Sequence, residues 1–194
     1  MTRVGSTVSD AVKLKVRRYN QPKSSNTARI MRLKSGGSAV LCDFTKSYLA
    51  NAKRFTGPGL VHPVLVLYDN DDGRRKLPKV RGQFARVDIG PDAPFAYIKY
   101  SLYLIPTPKI DGKDSQIEDF FSSDLKQVRI DGKKFNGANK IDVAKEYGKM
   151  RFGTRVVEPR ADKIDFSTFR PLLQNLAAAM SDYDKRTKAM SRTA

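Results

Sequence analysis

Cysteine and histidine are almost missing from this chain. Of 194 residues only Cys42 is a cysteine and only His62 a histidine. One cysteine cannot form an internal disulfide, which fits a reducing compartment, the cytoplasm. A structural zinc site normally takes four Cys or His ligands, and these two residues cannot supply them. A Ser-His-Asp triad could draw only on His62. That residue stands just before Pro63 and an apolar run, a position that suits the lead-in to a strand. Any catalysis therefore has to use carboxylates, Lys, Arg, Tyr or a metal ion. Long apolar runs are missing too. Val64–Tyr68 is the longest, far below the ~20 residues needed to cross a bilayer. Met1 to Asp10 is small and polar, without the apolar stretch of a secretory signal. No membrane partner is expected.

What is abundant is positive charge. The chain carries 37 Lys and Arg against 20 Asp and Glu, a net +17. Such an excess favours a polyanionic partner, DNA or RNA before an acidic membrane, because no basic amphipathic helix is evident. Residues 1–68 hold twelve basic residues and only Asp10 and Asp43. At Lys13–Arg18 the sequence KLKVRR alternates basic and apolar residues with strand periodicity. Lys13, Lys15 and Arg17 would then form either the solvated face of an edge strand or a stripe that tracks phosphates, with Arg18 as a further basic contact.

The order of elements predicts an α/β fold. Ala28–Leu33 reads as a short strand that ends in a Ser-Gly-Gly-Ser turn. Val40, Leu41, Phe44, Tyr48, Ala52 and Phe55 recur at three and four residues, so a helix follows, with Ser38 suited to cap it. Gly57-Pro58-Gly59 stops it. Val64–Tyr68 is a continuous apolar run, as in strands covered on both faces of a mainly parallel sheet. Phe95–Ile105 reads as one further strand, halted by Pro106 and Pro108. Ile117–Phe121 suits a helical turn, and Asp131-Gly132 a tight turn. Ile141–Phe152 reads as a helix. A last helix starts near Ser167 or Pro171 and ends near Lys185, with Phe169, Leu172, Leu173, Leu176, Met180 and Tyr183 on its apolar face.

The chemistry concentrates in Val64–Gly73, VLVLYDNDDG. Residues i and i+2 of extended chain point the same way, so Asp69 and Asp71 converge while Asn70 faces away. Two carboxylates that close repel unless a cation or proton lies between them. Mg²⁺ suits that place, since it takes one or two carboxylates, keeps waters and bridges to phosphate. The same residues also suit a plain polar turn. An EF-hand loop counted from Asp69 fails, with Arg74 at its sixth position and Val80 at its twelfth. The Tyr-x-Asp-Asp pattern of polymerases fails at Asn70. Arg74, Arg75, Lys76, Lys79 and Arg81 follow directly and could hold neighbouring phosphates of a nucleic acid. A second acidic pair, Glu118 and Asp119, could complete a metal site or open a helical turn.

Asp69-Asn70-Asp71-Asp72-Gly73 after a buried strand resembles the Asp-x-Asp motif of the Toprim fold. The ordered series RIMRLKSGG (29–37), PVLVLYDNDDG (63–73), IEDFF (117–121), DGKKF (131–135), GKMRF (148–152) and KIDFSTFRPLL (163–173) is similar to the carboxyl-terminal Toprim-like region of bacterial retron-type reverse transcriptases. The resemblance spans residues 29 to 173. It implies a small, mainly parallel Toprim-like sheet flanked by helices, with a helical carboxyl-terminal part. It also implies a nucleic-acid-bound protein, an Mg²⁺ site and a role in antiviral defence. It places Asp69, Asp71 and Glu118 as catalytic candidates, and Asp69, Asp71, Glu118 and Asp119 as metal ligands. The first Toprim glutamate has no counterpart, because no Glu precedes Glu118. The chain thus looks like the latter part of such a protein, and a reverse transcriptase polypeptide is the expected partner. On this reading 1–26 is a basic arm and 27–115 a partial Toprim-like domain. Residues 116–186 form an extension packed on it, and 187–194 a frayed tail.

Overall fold

A computed structural model describes residues 37–54, 62–70, 93–138 and 140–191. The predicted strands at Lys13–Arg18 and Ala28–Leu33 lie outside the described residues. Helix α1 is Gly37–Asn51, continued by a 3-10 turn, Ala52–Arg54. Ser38 lies one residue inside it, rather than ahead of it. The spacing that predicts this helix also shows its buried side, with Val40, Phe44, Leu49 and Ala52 in the core. Strand β1 is Val64–Tyr68, as the apolar run predicts.

The predicted single strand Phe95–Ile105 is instead a hairpin. Strands β2 (Ala96–Lys99) and β3 (Leu102–Pro106) pair antiparallel, with Lys99 opposite Leu102. The reversal falls at Tyr100, whose φ of 60° is left-handed, a costly setting for a bulky residue. Contacts with the rest of the fold hold the turn in place. Ser101 Oγ and Tyr48 Oη of α1 share a hydrogen bond of 2.6 Å. The Ser101 carbonyl accepts from the N–H of Val64 at 2.7 Å.

Strand β3 lies between the others, in the order β1-β3-β2, and runs parallel to β1. This three-stranded sheet is therefore mixed, where a mainly parallel sheet is predicted. Alternate residues of β3 serve two cores, as strand geometry requires. Leu102 and Leu104 pack toward α1 with Val66, Tyr68 and Ile98. Tyr103 and Ile105 pack on the other face against Leu172, Ala179 and Tyr183. Those three belong to the last helix, Arg170–Ser191. Coverage on both faces, predicted for β1, lapses at Leu67, which is 37% exposed.

Ile110-Asp111-Gly112-Lys113 and Ile130-Asp131-Gly132-Lys133 form two like turns. Each has positive φ at its Asp and its Gly, and each is closed by an Ile–Lys bridge. Positive φ at both central residues is the type I′ requirement that Asp-Gly meets. Helix α2 is Ser123–Gln127, capped by the Ser122 hydroxyl, which accepts from the N–H of Leu125.

The predicted helix Ile141–Phe152 does not form. Its middle is strand β5 (Glu146–Tyr147), paired in parallel with β4 (Lys134–Phe135). Glu146 is held by Asn136, whose side-chain amide donates to its carboxylate at 2.8 Å. Tyr147 is buried against Phe135, and its hydroxyl donates to the Val128 carbonyl. These contacts outweigh helix propensity, a weak preference per residue. Winding starts only after Gly148, with α3 (Lys149–Arg151), a π-helical stretch (Phe152–Val157) and a 3-10 turn (Glu158–Arg160). Phe152 and Val156 fill a third core with Tyr147.

Helix α4, Arg170–Ser191, follows a 3-10 turn at Ser167–Phe169 and continues past Lys185. Leu172, Ala179 and Tyr183 are its buried stripe, with Leu176 packed beside them. Leu173, predicted for that face, is exposed. The Tyr103 hydroxyl donates to Asp182 at 2.8 Å and ties α4 to β3. Among the described residues no helix is long and apolar enough to cross a membrane.

Candidate functional site

Asp69 is the first residue beyond β1, at the carboxyl end of a strand that runs parallel to its neighbour. Ligands of open α/β sheets bind at such ends. Its backbone is fixed by a buried polar chain. The Thr107 N–H donates to the Tyr68 carbonyl at 2.9 Å. The Thr107 hydroxyl accepts from the N–H of Asn70 at 2.9 Å and donates to the Ser115 carbonyl at 2.7 Å. The Ser115 hydroxyl in turn donates to the Pro108 carbonyl. Each buried polar group has a partner, so the end of β1 and the 107–115 loop are held as one piece.

The loop leads into the 3-10 turn Ile117–Phe120, which carries Glu118. Phe120 is buried and stacks near Phe169 at 5.3 Å, while the Thr168 hydroxyl donates to its carbonyl. Asp119 is exposed and acts as a cap, accepting from the N–H of Gln116 at 2.8 Å. With Phe120 turned into the core and Asp119 out, Glu118 points inward and is 9% exposed.

Asp69 and Glu118 meet across Lys149, the first residue of α3. One oxygen of Asp69, Oδ1, accepts from the N–H of Ile117 at 3.0 Å. Its other oxygen, Oδ2, accepts from Lys149 Nζ at 3.3 Å. Glu118 Oε2 lies 3.2 Å from the same ammonium. Oε2 is buried, and that ammonium is the partner the structure gives it. Burial pushes the Glu118 carboxyl above the ordinary carboxylate range; Lys149 pulls it back, and Asp69 adds to the rise. Burial pulls Lys149 downward, but Asp69 and Glu118 together outweigh it and hold the ammonium above the usual lysine value. One cation thus sits between two carboxylates in a half-buried place, where charges are screened less than at the surface.

Of the expected site residues the fold brings together Asp69 and Glu118. Asp119 is engaged as a cap one residue along from Glu118. Asp71 lies outside the described residues, as do Arg74, Arg75, Lys76, Lys79, Arg81, Lys13, Lys15, Arg17 and Arg18. Among the described residues no group of three His, Cys, Asp or Glu side chains gathers. Lys149 is the participant that sequence reasoning misses. Its segment GKMRF stands out only through the resemblance, and one lysine among 37 basic residues gives no signal by itself.

The donor set suits a hard cation. Asp69 Oδ2 and Glu118 Oε2 are carboxylate oxygens, and Oε2 is a buried atom with an unused acceptor site. In place of an external cation the chain supplies its own ammonium. No family model matches the chain, and no solved structure matches it.

Proposed function

We propose that this chain is a nucleic-acid-binding module of Toprim type from a retron-type reverse transcriptase system, with Mg²⁺-dependent phosphodiester cleavage at the end of β1. The observation that supports it is the meeting of Asp69 and Glu118 at the carboxyl end of β1, 49 residues apart in sequence. In this reading Asp69 and Glu118, with Asp71 two residues beyond Asp69 in sequence, would hold Mg²⁺. When bound, the ion supplies charge to a phosphate oxygen and acidifies a water. Asp69 is kept in orientation by the Ile117 N–H, so its other oxygen faces Lys149 and, across it, Glu118. The net +17 supplies the attraction for the polyanion. The basic arm at Lys13–Arg18 and the cluster Arg74–Arg81 are its contacts. A reverse transcriptase polypeptide is the partner, and the cytoplasm the compartment.

The test is the double substitution Asp69→Asn with Asp71→Asn, assayed for Mg²⁺-dependent cleavage of DNA and RNA. Loss of cleavage with binding retained is expected. Unchanged cleavage overturns the assigned centre.

A second reading is favoured by Lys149, which already pairs with both acids. In it the chain is a non-catalytic basic module that holds nucleic acid or a polymerase partner, and the bridge is structural. Binding would then weaken steeply with salt and be indifferent to EDTA, with no cleavage at any metal concentration.

A further inference from the structure

We infer that Lys149 is a built-in counter-cation that competes with a divalent ion for Asp69 and Glu118, so that the centre takes metal only when the lysine leaves. The inference rests on the metal reading above and concerns its regulation.

The ammonium stands where a metal ion would have to stand. It is 3.3 Å from Asp69 Oδ2 and 3.2 Å from Glu118 Oε2. These are the two oxygens with nothing else to do. Asp69 Oδ1 is committed to the Ile117 N–H. Glu118 Oε2 is buried, with the Lys149 ammonium as its partner. Replacing the ammonium by a metal ion therefore takes from the two carboxylates nothing but their contacts with Lys149 itself. It would shorten both contacts, since Mg²⁺–oxygen distances are about 2.0–2.1 Å.

The lysine can also leave. About a third of its side chain is exposed, and its stem is a flexible chain ending in a compact, strongly hydrated charge. It is the first residue after Gly148, so its departure leaves the winding from Met150 onward in place. An arginine there would lack this freedom at equal charge, because its planar fork holds carboxylates two bonds at a time. The acids need a cation or a proton between them, because two facing carboxylates without one repel. The lysine meets that need in the metal-free protein.

The experiment is a Mn²⁺ titration of the full chain, read by the electron paramagnetic resonance of free hexaaqua Mn²⁺, without nucleic acid. Wild type, Lys149→Met, Lys149→Arg and Lys149→Met with Asp69→Asn are compared, each checked for folding by circular dichroism. Removing a like charge so close to the ion should tighten Mn²⁺ binding by about tenfold or more in Lys149→Met. Lys149→Arg should show no gain, and Asp69→Asn should abolish it. Equal Mn²⁺ affinity in wild type and a folded Lys149→Met overturns the counter-cation while leaving the metal centre standing. If neither wild type nor Lys149→Met binds Mn²⁺, the metal reading itself falls.

If Lys149→Met does not fold, the wild type answers alone. With ¹³Cε-labelled lysine, and the Lys149 signal assigned from its loss in Lys149→Arg, Mg²⁺ should move that signal toward the free-lysine position. A signal that stays put while Mg²⁺ shifts the Asp69 carboxylate resonance overturns the inference.

Discussion

Replacing Tyr103 by Phe tests how the last helix is held to the sheet. Tyr103 is fully buried at the centre of the second core. Its ring lies 5.3 Å from Tyr97, 5.8 Å from Phe95 and 6.4 Å from Tyr183. Its hydroxyl donates to Asp182 Oδ2 at 2.8 Å. Tyr103→Phe removes one oxygen and keeps every ring contact, so no large cavity opens. What is lost is one hydrogen bond to a charged acceptor, about 1.5–3 kcal/mol in general. Here the loss is softened. Asp182 keeps Arg186 as an ion partner, and 27% of its side chain remains exposed to water. We therefore expect about 1–2 kcal/mol, around the low end of that range. Asp182→Ala should cost at least as much, since it leaves the buried hydroxyl without its acceptor and frees Arg186 from over Tyr97. Urea denaturation of the two single variants and the double variant gives the coupling, and about 1 kcal/mol is expected for a direct contact of this kind. A Tyr103→Phe chain as stable as wild type, or a coupling near zero, would refute the view that this bond anchors α4.

Three further outcomes follow from the same reasoning. Glu118 is held above its ordinary value of 4.5, so the folded chain binds more protons there than the unfolded one. Wild-type stability should then fall as pH rises from 4.5 through the folded value, and Glu118→Gln should remove that part of the slope in denaturation curves at several pH values; an unchanged slope would count against an inward-facing Glu118. Lys149 stands above the ordinary lysine value of 10.5, so its contribution is complete below that value and is lost as pH rises through the folded one; Lys149→Met should flatten the alkaline limb of the stability profile, and an unaltered limb would argue against the bridge. At Gly132, φ is +75° with nothing within 4 Å of an added Cβ, so Gly132→Ala should cost about 1 kcal/mol through backbone conformation alone, measured by urea midpoint, and a neutral result would deny the left-handed turn.

The parts of this fold that are legible in sequence are those built by short-range rules. Spacings of three and four around Phe44 and Leu49 specify α1, because a helix buries one stripe. The unbroken Val64–Tyr68 run specifies β1. Asp131-Gly132 specifies its turn, since both residues tolerate positive φ. The same rule applies at Asp111-Gly112. The hairpin at Tyr100-Ser101 carries no such mark. Neither Tyr nor Ser advertises a reversal, and the turn depends on Tyr48 and Val64, both distant in sequence. Likewise Ile141–Phe152 has helical spacing, yet Tyr147 is claimed by Val128 and Phe135 and Glu146 by Asn136.

By itself the sequence determined the chemistry available: no disulfide, no histidine-rich site, a strong positive excess, and a carboxylate placed directly after a buried strand. Those facts depend only on which side chains exist and on local periodicity. Only the tertiary structure decided which charges meet. Asp69, Glu118 and Lys149 are separated by 49 and 31 residues. They converge because β1 runs parallel to β3, Phe120 is driven into the core, and winding is delayed until Gly148. Apolar burial sets those three placements, and it acts on the whole folded surface rather than along the chain.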